Sequence, residues 1–263
     1  MVRLASAIQP EWLLDLFAGD LRETSEPAWE PARGRIEVIS RISFGSLVLE
    51  EGRRPPRLED AAEAEAAARL LLSQLRSGST RALDPAIQAA VDEVRERASL
   101  VARHCPEAGL RALEEADLEA ALLETARGKS TLAEVRGADL PAALVQRLGP
   151  DAAGRLLRLA PEHVQLASGR RLRVEYVPGQ PPSVRSRLQD FFGSARGPTI
   201  CAGRVPLVLH LLAPNGRAQQ VTTDLEGFWT RHYPAARKEL MRKYPRHPWP
   251  EDGRTAAPPA PKR

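Results

Sequence analysis

The chain has 263 residues, of which 43% are hydrophobic and 27% are charged, as in ordinary soluble globular proteins. No apolar run approaches the roughly 18 residues that a membrane-spanning helix needs, and the N-terminal residues lack the apolar core of a signal peptide. The two cysteines, Cys105 and Cys201, are too few for a disulfide scaffold. We therefore expect a cytoplasmic protein without a membrane partner.

The net charge of +4 hides an uneven distribution of charge along the chain. Residues 163–263 contain 17 lysines and arginines against 7 acidic residues, whereas residues 1–162 contain 21 against 27. A basic C-terminal part is typical of a surface that faces a polyanion such as nucleic acid. The alternative is a compositional bias, because only four of the 38 basic residues are lysines, as a GC-rich coding sequence would produce.

The first part of the chain predicts a helical segment followed by strands. Residues 4–17 have an apolar stripe with helical spacing and start abruptly, so we interpret residues 1–20 as the end of a helical unit that lies upstream. Residues 21–58 contain β-rich runs separated by proline and glycine, which predict two or three antiparallel strands and a linker. Trp29 and Phe44 could stack on nucleic-acid bases, but a core position is the favoured interpretation for both.

Residues 59–160 are rich in alanine and leucine and predict four to six short helices. Their predicted start signals are three aspartate caps and one capping box: Asp84 before Pro85, Asp139, Asp151, and Thr131 to Glu134. No fixed repeat length is present, so a solenoid is not expected.

The tetrapeptide Gly-Lys-Ser-Thr at residues 128–131 copies the end of a phosphate-binding loop. Such a loop needs a glycine five residues earlier, where Leu123 stands, and it follows a strand, whereas residues 117–126 predict a helix. We therefore predict that Gly128 ends one helix and that the serine or threonine after Lys129 caps the next. Because no Asp-Glu-Ala-His box occurs either, this chain alone is not predicted to be an enzyme or to bind a cofactor.

The histidines and cysteines lack the spacing of a metal site. His104-Cys105 is an isolated pair. His210 lies inside an apolar strand, where a core histidine with satisfied hydrogen bonds is the favoured interpretation. No Gly-x-Ser-x-Gly sequence marks a nucleophile. We expect neither a metal centre nor a catalytic residue.

Residues 161–252 predict a mixed α+β unit, so the predicted fold class of the whole chain is α+β. A hairpin is predicted from residues 164–166 and 171–177. A helix is predicted over residues 182–192, because its apolar residues can share one side. Residues 253–263 are polar and rich in proline, which predicts a disordered tail.

A second hairpin is predicted from residues 205–212 and 219–222. The Asn215-Gly216 pair between them favours a tight turn with positive φ at both positions. The apolar run before the turn is rich in residues that favour strands.

A helix is predicted to begin at Asp224, because Thr-Asp-Leu-Glu has the spacing of a capping box. This helix should carry Phe228 and Trp229. Residues 244–252 contain three prolines around Trp249, and such a stiff segment loses little entropy on ordering. Docking of this segment within the chain is the favoured interpretation, and an exposed motif for a partner is the alternative.

The last predicted helix has an apolar face and a basic face. The apolar face consists of Tyr233, Ala236, Leu240 and Tyr244. Lys238 and Arg242 lie four residues apart on another face, and cations at this spacing can contact phosphates. The candidate nucleic-acid-binding residues, here called the cationic set, are Arg231, Lys238, Arg242, Lys243 and Arg246. Ordinary solvation of these charges is the alternative.

Five stretches of the chain carry a resemblance to a known family. They are residues 3–17 (RLASAIQPEWLLDLF), 174–193 (VEYVPGQPPSVRSRLQDFFG), 204–217 (RVPLVLHLLAPNGR), 220–245 (QVTTDLEGFWTRHYPAARKELMRKYP) and 246–252 (RHPWPED). These stretches resemble the C-terminal region of the bacterial HrpB-type ATP-dependent helicases, which belong to the DEAH-box group. The resemblance runs nearly from end to end and is most specific in the last third.

The resemblance implies a non-catalytic region that binds or guides nucleic acid for an upstream motor of two RecA-like domains. It implies an OB-like barrel at residues 21–58 and a single-stranded partner, with RNA favoured over DNA. ATP and Mg²⁺ are implied only for the motor domains, and none of the family's ATPase residues can be assigned in this sequence. The rival hypothesis is a protein-docking or scaffolding module whose basic charge is incidental.

Overall fold

The computed structural model describes Trp12 and residues 16–77 and 83–257. It has the predicted α+β class and divides into two compact units. The first unit comprises Met1–Pro85 and Leu118–Ala143, and the second comprises Ala86–Asp117 and Leu144–Arg263. The helix predicted over residues 4–17 lies largely outside the described residues.

The strands of the first unit form the predicted antiparallel meander. They are β1 (Leu21–Glu30), β2 (Arg35–Phe44) and β3 (Leu47–Arg54), in the order β1-β2-β3. The meander packs on a small apolar core that includes Ile36 of β2, and Trp29 is partly buried against it, as its predicted core position requires. Phe44 lies outside this core, with its ring 5.6 Å from that of Phe17. The OB-like barrel stays a prediction, since the described strands here make a three-stranded sheet.

Six α-helices lie within the described part of residues 59–160, at the upper limit of the prediction. They are α1 (Ala61–Ser77), α2 (Pro85–His104), α3 (Glu115–Ala126), α4 (Leu132–Arg136), α5 (Leu140–Gln146) and α6 (Ala152–Leu159). Two of them are longer than expected, and the helices contribute to both units. The predicted cap at Asp139 is confirmed, because its carboxylate accepts the Ala142 N–H. The one at Asp151 is wrong: its φ of 59° belongs to the left-handed region, and its side chain makes no cap hydrogen bond.

The Gly-Lys-Ser-Thr tetrapeptide forms the predicted junction between two helices. Helix α3 ends at Ala126, and Gly128 has a φ of 72°, which a glycine adopts without strain. The Thr131 hydroxyl accepts the Glu134 N–H, and the Glu134 carboxylate accepts the Thr131 N–H, so the capping box is complete. The tetrapeptide therefore ends one helix and caps the next, as predicted.

The second unit is built on a mixed five-stranded sheet. Its strands are β4 (His163–Gln165), β5 (Arg171–Glu175), β6 (Ser183–Arg187), β9 (Val208–Leu212) and β10 (Ala218–Thr222), in the order β10-β9-β6-β5-β4. Strands β6 and β9 are parallel, and the other neighbours are antiparallel. The stretch of sequence that connects β6 to β9 contains a separate two-stranded ladder of β7 (Thr199–Ile200) and β8 (Val205–Pro206). Both predicted hairpins are present.

The helix predicted over residues 182–192 is wrong. The segment forms β6 and then a 3-10 turn at Leu188–Phe191. Its first half alternates between buried and exposed residues, with Val184 and Ser186 buried and the intervening arginines exposed. Pairing with β9 satisfies the backbone of β6, so tertiary hydrogen bonds decide the conformation of a sequence that also has helical spacing.

The turn between β9 and β10 differs from the predicted type. The Gly216 N–H donates to the Ala213 carbonyl oxygen (2.9 Å), and the Ala213 N–H donates to the Arg217 carbonyl oxygen (2.8 Å). Gly216 has a φ of 82°, whereas Asn215 is not among the residues with positive φ. The connection is therefore a three-residue loop with one left-handed residue. The prediction of positive φ at both Asn215 and Gly216 is wrong.

We expect Gly216→Val to destabilise the second unit by about 1–3 kcal/mol, because a β-branched residue resists positive φ. A Cβ at this position would meet no atom within 4 Å, so steric contact adds nothing and the backbone conformation alone carries the cost. Chemical denaturation measures it. An unchanged midpoint would contradict the left-handed conformation of Gly216.

A buried carboxylate near the start of α3 predicts a pH dependence of stability. Asp117 accepts two hydrogen bonds of 2.6 Å from the Arg111 guanidinium, which lower the pKa of the Asp117 carboxyl from 3.8 to about 2. A carboxyl whose pKa is lower in the folded state stabilises it above pH 4, and this stabilisation disappears as the pH falls towards 2. We expect Asp117→Asn to be less stable at pH 7 and to lose less stability on acidification, as measured by urea unfolding at several pH values. A parallel loss in both proteins would contradict the ion pair.

Candidate nucleic-acid interface

Four of the five residues of the cationic set lie on a helical segment that begins one residue later than predicted, and Arg246 follows the end of that segment. Helix α7 (Leu225–Gly227), a π-helical turn (Phe228–His232) and α8 (Tyr233–Lys243) follow each other without a break. The cap is the Asp224 carboxylate, which accepts the Gly227 N–H (2.8 Å), so the capping box predicted from Thr223 is wrong. Pro234 explains the wide turn: it lacks an N–H, and its ring would clash with the carbonyl four residues before it in a regular helix.

The buried side of this segment is aromatic, and the segment carries Phe228 and Trp229, as predicted. The Trp229 ring lies 5.0 Å from Tyr233, 5.1 Å from Phe228 and 5.9 Å from Phe192. The Trp229 indole N–H donates to the Ser194 carbonyl oxygen (2.9 Å). Burial raises the pKa of the Tyr233 hydroxyl to about 12, so this group stays a neutral donor at physiological pH. The segment is thus fixed to the second unit by a packed and hydrogen-bonded face.

The proline-rich segment around Trp249 docks within the chain, as predicted. The Trp249 side chain is 7% exposed, and its indole N–H donates to the Tyr244 carbonyl oxygen (3.0 Å). The Tyr233 hydroxyl donates to the Pro250 carbonyl oxygen (2.9 Å). The Gly253 carbonyl oxygen accepts the Gly193 N–H, so the docked segment reaches into the region predicted as a disordered tail. Residues 258–263 of that tail lie outside the described residues.

Arg237, which is not among the candidate nucleic-acid-binding residues, also holds this segment. Its Nε donates to the Trp249 carbonyl oxygen (2.8 Å), and the side chain is partly buried. Its position four residues after Tyr233, on the apolar face of α8, could have identified it as a structural arginine. Arg237 therefore does not belong to the cationic set.

The five residues of the cationic set are all exposed, but they differ in their partners. Arg231 forms an ion pair with Asp224 (2.6 Å), and Lys243 lies 3.7 Å from Glu239. The three others, Lys238, Arg242 and Arg246, have no ion-pair partner among the described residues. Lys238 and Arg242 are one helical turn apart on the solvent side of α8. These three cations are therefore available to an external anion.

A metal site is not found among the described residues, where no three histidine, cysteine or acidic side chains come together. His210 differs from its predicted core position. It is partly exposed on β9, on the face opposite the buried Leu209 and Leu211. Both Cys105 and Cys201 are fully buried and reduced. None of the helices of the described chain is long and apolar enough to cross a membrane.

Residues 121–253 match the family described as the C-terminal region of ATP-dependent helicases. The chain is 31% identical over 242 residues to the ATP-dependent RNA helicase HrpB of Escherichia coli, an alignment that covers 90% of this chain and 29% of the relative. A crystal structure of the E. coli DExH-box NTPase HrpB superposes with a TM-score of 0.69 and 28% identity, over 97% of this chain and 31% of that one. A structure of the E. coli DEAH/RHA helicase HrpB gives a TM-score of 0.59 and 30% identity, over 88% and 29%. The chain thus spans under a third of the length of these relatives.

Proposed function

This chain belongs to the family of HrpB-type helicase C-terminal regions, and from that premise we propose that it binds and guides single-stranded nucleic acid for an ATP-driven motor. The observation that carries the proposal is the pair of unpaired cations Lys238 and Arg242 on a rigidly held helix, with unpaired Arg246 three residues after its end. Arginine and lysine side chains at such positions neutralise phosphates, and binding gains free energy from the counterions that are released.

The rigid support of these cations matters for the affinity. The aromatic face of α8 and the docked Trp249 fix the helix backbone, so only side-chain freedom is lost when an anion binds. Contacts to phosphates carry no sequence information, which suits a region that passes a strand of any sequence to a motor. We therefore propose binding without base specificity.

The partners follow from the family. The E. coli relative is named as an RNA helicase, which favours RNA over DNA as the strand bound here. Upstream RecA-like domains would supply the hydrolysis of ATP with Mg²⁺, and this chain would contribute no catalytic residue. The P-loop-like tetrapeptide is consistent with this division of labour, because it forms a junction between two helices, where the Thr131 hydroxyl caps the second one.

We expect the double change Lys238→Glu and Arg242→Glu to weaken binding to single-stranded RNA of any sequence. It should also flatten the plot of log affinity against log salt concentration, because each lost phosphate contact removes about 0.7 from the slope for a single strand. Filter binding or fluorescence anisotropy at several salt concentrations measures both quantities. Stability should change by less than about 0.5 kcal/mol, since both side chains are exposed and unpaired.

The matched control is the charge reversal Arg103→Glu with Arg158→Glu, two exposed arginines elsewhere in the second unit without an ion-pair partner among the described residues. This control changes the net charge of the chain by the same amount and should bind nearly as well as the parent. If the α8 double variant folds but keeps the parent affinity and salt slope, the helix is merely solvated. The docking-module hypothesis is then favoured for this helix.

A further inference from the structure

The five-stranded sheet of the second unit has one buried face and one exposed face. Buried residues alternate with exposed or partly exposed ones along its inner strands, as expected for a sheet packed on one side. The buried face includes Val174, Val184 and Leu209. The exposed face carries four arginines on the adjacent strands β5 and β6, here called the sheet arginines: Arg171, Arg173, Arg185 and Arg187.

The register places basic and imidazole side chains in one row across this face. His163 of β4 lies opposite Arg173, and Arg185 lies opposite His210 of β9. Val174 pairs with Val184, and continuing this antiparallel register by one residue places Arg173 opposite Arg185. Neighbouring strands are about 4.8 Å apart, so the row crosses four strands in about 15 Å.

Acidic side chains neutralise only part of this face. Arg173 forms an ion pair of 2.7 Å with Glu93 of α2, and Arg185 lies 3.7 Å from Glu175. Even so, the side chains of Arg173 and Arg185 are 61% and 55% exposed. Arg171 and Arg187 are exposed and have no ion-pair partner in the part of the chain that the structure describes. The face therefore keeps unpaired positive charge at the ends of two adjacent strands.

We propose that this exposed sheet face is a second surface for single-stranded nucleic acid, distinct from the cationic set. Guanidinium groups bind phosphates in a bidentate manner, and their planes stack on unpaired bases. His163 and His210 add rings of the kind on which bases also stack. A sheet face suits a splayed single strand, because cationic side chains on a surface can follow its backbone while rings stack on its unpaired bases.

The inference rests on the proposed role in nucleic-acid binding but concerns different residues. Its test is the double variant Arg171→Glu with Arg187→Glu in the full chain, with a fluorescent oligouridine of about 15 nucleotides as the probe. We expect binding to weaken at least tenfold (~1.4 kcal/mol) and the salt slope to fall by about 1.4, which corresponds to two phosphate contacts. The Arg103→Glu and Arg158→Glu variant controls for net charge, and thermal unfolding controls for folding.

The four possible outcomes separate the two surfaces. Loss of affinity in the sheet variant alone supports the sheet surface and overturns the role of the cationic set. Loss in the α8 variant alone overturns the sheet surface and leaves the proposed function intact. Loss in both supports both surfaces, and parent affinity in both folded variants overturns both. If the sheet variant unfolds, Arg171→Gln with Arg187→Gln is used, which removes the charges without adding acids and should lower the slope in the same direction.

Discussion

Replacing Trp229 with alanine is expected to lower the free energy of unfolding of the second unit by about 3–5 kcal/mol. Trp229 is 4% exposed and is in contact with three other aromatic rings. Its removal leaves a large cavity and also leaves the Ser194 carbonyl oxygen without its donor. Denaturant unfolding measures the change, with the two compact units fitted as separate transitions if they do not coincide.

The control for this prediction is Trp229→Phe, which keeps an aromatic ring in the cluster but removes the indole N–H. We expect it to cost about 1–2 kcal/mol, because a smaller cavity and one lost hydrogen bond remain. Because Trp229 is buried and cannot contact a nucleic acid, any loss of binding by Trp229→Ala should be proportional to the fraction of the variant that is unfolded. If Trp229→Ala stayed as stable as the parent, the ring would not be buried as the structure places it.

Local sequence signals predicted some caps of this fold, at Thr131 and Asp139, but not the cap at Asp151 or the type of the turn at Gly216. The capping box of Thr131 and the junction at Gly128 depend on hydrogen bonds within four residues, so the sequence alone determines them. The start of the C-terminal helix was displaced by one residue because Thr223 and Asp224 are both good caps. Two neighbouring residues with a similar preference for the N-cap position cannot be distinguished from the sequence alone.

Strand β6 was not identified in this way, because one of its two partners is distant in the sequence. The segment pairs in an antiparallel manner with β5 and in parallel with β9, which lies more than twenty residues later, and these pairings favour a strand over a helix. The alternation of small or apolar residues with Arg185 and Arg187 was a usable signal. The prediction of a helix here also concealed the sheet arginines as a group, because a helix would not place Arg185 and Arg187 beside the arginines of β5.

The cationic set was predictable as a group but not in its details. Helical spacing identified Lys238 and Arg242 on one side of α8. The ion pair between Arg231 and Asp224 depends on the fold at the start of the helix, and the capture of Arg237 by the Trp249 carbonyl depends on the docked segment. Charge counting therefore overestimates the number of cations available to a nucleic acid.

Replacing Gly253 with alanine is expected to destabilise the second unit by about 1–3 kcal/mol through steric conflict. A Cβ at Gly253 would lie 2.5–2.9 Å from three atoms of the Trp229 ring, which is rigid and enclosed by other aromatic rings. Either the docked segment shifts or the indole leaves its place. The matched control is Gly52→Ala in β3, where a Cβ would meet no atom within 4 Å and a change of at most about 0.5 kcal/mol is expected.

A double-mutant cycle gives the sharper form of this prediction. In a Trp229→Ala background the ring that opposes the new methyl group is absent, so Gly253→Ala should cost little or even fill part of the cavity. The two changes should therefore be non-additive by about 1–3 kcal/mol, as expected for residues in direct contact. Because Gly253 follows the segment held by Trp249 and Arg237, the single variant should also raise the proteolytic sensitivity of residues 244–253. Additive free energies in the cycle would mean that Gly253 does not pack on Trp229 and that this segment is held by its other hydrogen bonds alone.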